Sequence, residues 1–155
     1  MVAVLRFISL LLTALLVGTM FGIWLGFDPA ALTATAYVEM QQNTIRALNT
    51  PLPILGAVCI VLTLALAALT KDRPGRYLLI VAALCLIAAG LITRFANQPI
   101  NEIVMAWSAP APAANWAELR DTWWRWHELR TGAAVVALVL ALLAAVRSSD
   151  PRSDR

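Results

Sequence analysis

PLPILGAVCIVLTLALAALT (51–70), KDRPGR (71–76) and YLLIVAALCLIAAGLIT (77–93) decide the fold: two uncharged apolar runs flank a six-residue polar turn. Twenty residues in a helix rise about 30 Å, the thickness of a bilayer's hydrocarbon core. Thr50 and Pro51 suit the cap and the first position of a helix, and the Pro74-Gly75 pair lies in the turn that follows it. The segment therefore reads as two membrane spans joined by a basic turn.

The same reading extends outward in both directions. Val2 to Phe27 is apolar apart from Arg6 and a few hydroxyl residues, which is too long for the apolar core of a secretory signal. Ala34-Thr35-Ala36 imitates a cleavage site, but a retained first span is the expectation. Thr131 to Val146 is the fourth uncharged run. Of the 155 residues 61% are apolar and 14% charged, against about 45–50% and 25% in a soluble domain. The expected fold is all-α: a polytopic membrane protein whose four transmembrane helices form one bundle. The spans fall at about 3–26, 51–70, 77–96 and 126–146, and a disordered tail runs from 148 to 155.

Charge sets orientation and excludes function classes. Arg6, Lys71, Arg73, Arg76, Arg147, Arg152 and Arg155 lie on one side, in short turns and termini; Arg46, Arg94, Arg120, Arg125 and Arg130 lie on the other. The positive-inside rule then makes both termini cytoplasmic, in a plasma membrane. A scattered net charge of +3 gives no surface for nucleic acid. Charge-free span centres argue against ion transport. Cys59 and Cys85 fit no metal or redox spacing and read as small packing residues.

The two outer loops are long, and each is expected to carry an amphipathic helix. Asp28-Pro29 has a helix-start signature; beyond it Ala34, Tyr37, Val38, Ile45 and Leu48 share a stripe, with Glu39, Gln42, Asn43 and Arg46 opposite. In the second loop Asn115 and Glu118 resemble a capping box. Gly18, Gly22 and Gly26 make a flat groove on the first helix. It suits packing inside the chain, a homodimer contact or a flat ligand.

Length points to a site. The 16-residue fourth run rises only about 24 Å, so His127 and Arg130 must enter the membrane with it, and Arg94 follows at the end of the third helix. Trp123, His127 and Arg130 form one stripe; Arg94, Asn97 and Asn101 form another if the helix continues past Pro99, where a kink is expected. Glu39, Gln42 and Arg46 reach the same level, as do tryptophans that otherwise serve as an interfacial belt. No metal site is expected, because the single histidine lacks clustered partners.

The stretch Thr93-Arg-Phe-Ala-Asn-Gln-Pro-Ile-Asn101 and the motif Trp123-Trp-Arg-Trp-His-Glu-Leu-Arg130 resemble those of the anthrone-oxygenase-like membrane proteins. Gly18-Thr-Met-Phe-Gly22 and Tyr37-Val-Glu-Met-Gln-Gln42 extend the resemblance over almost the whole chain. It implies oxidation of a polycyclic anthrone to an anthraquinone by molecular oxygen, with no cofactor. On that basis His127, Arg130 and Arg94 are the candidate catalytic residues, with His127 as base and the arginines on the anion. Asn97, Asn101, Trp123, Trp126, Glu39 and Gln42 are the candidate substrate contacts. The expected partners are the lipid bilayer and a hydrophobic aromatic molecule. The alternative is a non-catalytic membrane protein that binds a lipid or quinone-like ligand or supports a partner protein.

Overall fold

A computed structural model describes residues 1–148, so the tail expected at 148–155 lies, apart from Ser148, outside the described residues. Those residues form α1 (Val2–Gly26), α2 (Ala34–Leu48), α3 (Pro51–Leu69), α4 (Arg73–Ile92), α5 (Gln98–Met105) and α6 (Trp116–Arg147). A wide π turn, Thr93–Asn97, joins α4 to α5 in one continuous helical rod. The rods Val2–Ala31, Pro51–Leu69, Arg73–Met105 and Trp116–Arg147 are long and apolar enough to cross a membrane. The protein is an all-helical bundle built on these four.

α1 packs on α3 and α6, and α4 on the same two, so the rods form a ring in the order α1, α3, α4, α6. Near the termini the ring is closed by small residues. Ala137, Ala141 and Ala144 recur at helical spacing along α6 and are buried with Leu79 and Ala82 of α4. Small side chains let two backbones approach closely, which drives helix association in lipid, where apolar burial alone gives little. At the α3–α4 turn the Asp72 carboxylate accepts a hydrogen bond from the Gly75 N–H at 2.8 Å. A Cβ at position 75 would stand 2.8 Å from that carboxylate, so a larger residue there would displace the cap.

Several local expectations change. Asp28 caps only a three-residue 3-10 turn, Pro29–Ala31, while α2 starts later, with Thr33 accepting from the Ala36 N–H at 3.3 Å. Neither Thr50 nor Asn115 makes a side-chain cap bond. The Asn115–Glu118 box is therefore not formed, and the helix expected in the second loop is the first part of the 32-residue α6. Pro99 does not break its rod. Its ring would crowd the Phe95 carbonyl in a regular helix, and the π turn just before it opens that spacing. Gly18, Gly22 and Gly26 are exposed, and a Cβ at any of them would meet nothing within 4 Å, so no close helix contact among the described residues depends on them.

Candidate functional site

α6 carries the centre of the site. Arg130 stands seventeen residues before Arg147, a rise of about 26 Å, which puts it near the far edge of a hydrocarbon core. One turn earlier, His127 is fully buried and its ring lies parallel to that of Trp123, with centroids 5.1 Å apart and 4° between planes. His127 Nε2 is 3.2 Å from the Met20 carbonyl of α1, which can only accept. On the other edge, the Arg130 guanidinium donates to Nδ1 from Nε at 3.2 Å and from Nη2 at 2.9 Å. A guanidinium can only donate, so the proton is assigned to Nε2 and the lone pair to Nδ1. Both ring nitrogens are occupied.

Arg130 is fixed from three directions. Besides His127, it donates from Nη1 to Thr93 Oγ1 at 3.2 Å, and its charge lies 5.6 Å from the Trp123 ring centroid. None of these partners is an anion. Among the described residues no carboxylate lies within 4 Å of Arg130. Three uncharged groups hold the guanidinium in place, and among the described residues its charge has no counterion.

Trp123 is the second anchor. Its Nε1–H donates to Asn101 Oδ1 at 2.8 Å, and the Asn101 amide donates to Asn49 Oδ1 at 3.0 Å. Asn97 donates to the Trp123 carbonyl at 3.0 Å. The π turn makes this possible. It adds one residue to the turn and so rotates the rest of the rod, and Thr93, Asn97 and Asn101 all come to face α6.

Arg130, Trp123, Thr93 and Asn101 line a cavity of about 270 Å³, shared by α1, α2, α3, the α4–α5 rod and α6. Most of its wall is apolar: Leu16, Met20, Ile45, Ile60 and Leu86 are among the lining residues. Ala57 of α3, Gly90 of α4 and Arg94 are the lining residues that also face outward, so they mark its mouth. Among the described residues no three His, Cys, Asp or Glu side chains come together.

Residues 40–140 match the anthrone oxygenase family. The chain belongs to that family. The match takes in most of α2, the α4–α5 rod and all of the α6 site residues, and leaves out α1, whose Met20 carbonyl holds His127. Comparison with curated proteins and with solved structures finds no match.

Within this anthrone oxygenase relative the nine candidate residues separate into groups. Arg130, Arg94, Asn101 and Trp123 are on the cavity wall. His127 and Asn97 are buried outside the lining, and both serve residues that line it. The amide donors of Asn97 and Asn101 are spent on protein acceptors rather than directed at a ligand. Gln42 closes the end of α5, its Nε2 donating to the carbonyls of Val104 and Trp107 at 3.0 and 2.9 Å. Glu39 and Trp126 are exposed and lie outside the lining. Arg94 donates to Gln98 Oε1 at 3.2 Å, at the mouth.

Thr93 and Gln41 line the cavity with polar side chains and lie outside the expected set. Thr93 faces Arg130 from the π turn, which no sequence rule announces. Gln41 did leave a signal: it falls between Tyr37 and Ile45 on the apolar stripe of α2, where a polar residue has no reason to be. Tyr37 itself is fully buried; burial pushes its phenol above the usual range, with Arg120 opposing and Asp121 adding to the effect.

Proposed function

We propose that the protein is an oxygenase of the plasma membrane, with both termini cytoplasmic. In this reading it oxidises a flat polycyclic ketone of the anthrone type to a quinone. The observation that carries the reading is the Arg130 guanidinium, held by neutral groups on the wall of an apolar cavity and lacking a counterion among the described residues. Such a group awaits negative charge, and the enolate of an aromatic ketone supplies it. A fixed donor aimed at a developing oxyanion is worth most where water is excluded.

Arg130 receives the ketone oxygen and favours loss of a proton from the ring methylene to water at the Arg94 mouth. The enolate carbon then forms a bond to molecular oxygen. Both methylene hydrogens leave, one oxygen atom stays as the new carbonyl, and the other departs as water. Trp123 offers a flat face to the rings. Both His127 nitrogens are engaged, so its role is to position Arg130 rather than to act as the base. The basic residues gathered at the α3–α4 turn and near the termini support the orientation.

The test is oxygen uptake by the purified protein with anthrone, beside Arg130→Met and His127→Ala. Uptake above the uncatalysed rate that falls with Arg130→Met supports the reading. Tight binding of anthrone with no added oxygen uptake would sink it in favour of a ligand-binding protein.

A further inference from the structure

Gln41 and Gln42 are neighbours with opposite fates. Gln42 spends its amide on the fold: its Nε2 donates to two carbonyls of the α5 end, and its Oε1 accepts from Arg46 at 3.2 Å. Gln41 is fully buried and lines the cavity, yet among the described residues neither its Nε2 nor its Oε1 has a hydrogen-bond partner. A buried amide with both ends unmet weakens the folded state, and an apolar side chain of equal length would avoid that cost. The polar atoms that the fold itself needs at this level, in Asn101, Asn49 and Trp123, are already joined to one another.

The missing partner must accept from an N–H and donate to a carbonyl oxygen. A phenolic hydroxyl does either, since its oxygen accepts and its proton donates. A carboxylate offers no donor, and an unsubstituted ring edge offers neither. We propose that Gln41 is a specificity-determining residue, holding an uncharged ring hydroxyl of the ligand whose oxyanion Arg130 binds. This rests on the reading of the cavity as a site for a flat aromatic ketone. Recognition is then two-point, with a cation on α6 and a neutral amide on α2.

The experiment measures binding of anthrone, 2-hydroxyanthrone and 3-hydroxyanthrone without oxygen, read as quenching of tryptophan fluorescence. Purified wild type and Gln41→Met are compared, with thermal unfolding followed in parallel. The wild type is expected to bind at least one hydroxylated probe about tenfold more tightly than anthrone, the worth of one good hydrogen bond. Gln41→Met is expected to bind all three as the wild type binds anthrone, and to melt at a higher temperature. A preference that survives in Gln41→Met, or no preference in the wild type, overturns the inference and leaves the proposed function standing. A Gln41→Met protein that fails to fold also overturns it, since Gln41 would then serve the fold. If the wild type binds none of the probes, the proposed function falls, and this inference with it.

Discussion

The two ends of the bundle follow different rules. Near the termini, alanines of α6 mesh with α4, and the buried hydroxyls of Thr63 and Thr70 donate to carbonyls one turn back in or at the end of α3, at 2.7 Å. At the α2 end the helices stand around a cavity. The buried side-chain atoms without partners among the described residues are there too: Tyr37 Oη, both polar atoms of Gln41, Asn97 Oδ1 and Thr131 Oγ1. One sequence thus closes its polar accounts at one end and leaves them open at the other. Open polar groups lower stability, and they are retained where a ligand completes them.

The largest effect expected from breaking this contrast is at Arg130. Arg130→Met should lower turnover of anthrone by about 10²–10³-fold, the cost of losing one preorganised oxyanion donor, while the melting temperature holds. Arg130→Lys should recover little, because a point charge cannot span His127 and Thr93 together. The converse change is Ala137→Leu in the sealed half. Overpacking there should cost about 1–3 kcal/mol in unfolding measurements and leave the affinity for anthrone unchanged. An equal loss of affinity would show that the two ends are not separate. His127→Ala frees Arg130 without removing it, and turnover should fall about tenfold, with most of the change in kcat. Thr131→Val is the smallest: it removes an unpartnered hydroxyl at constant shape, and stability should rise by less than about 1 kcal/mol.

The sealed end was legible and the open end only in part, for a physical reason. A span announces itself through twenty residues of composition, so errors at single positions do not matter. The level of His127 and Arg130 came from the same source, because helix length against bilayer thickness is arithmetic. Direction is another matter. The polar stripe of α2 points to Gln42 and Glu39, whereas the cavity takes Gln41 from the apolar stripe. Spacing at 3.6 residues per turn puts Arg94 in one stripe with Asn97 and Asn101, and the rod departs from that value at those residues, so that Thr93 faces Arg130. His127 was legible as a member of the cluster but not as a residue with both nitrogens taken, since that depends on a carbonyl from α1 more than a hundred positions away.

The π turn between α4 and α5 has a consequence for how such a site is inherited. It differs from an ordinary helical turn by a single amino acid. Deleting one residue within Thr93–Asn97 would leave Arg73–Ile92 as it is and swing everything from Gln98 onward by about 100°, taking Asn101 away from Trp123. Point substitutions cannot produce that rotation in one step. The loss or gain of one codon can, so the site stands one indel away from a plain transmembrane helix.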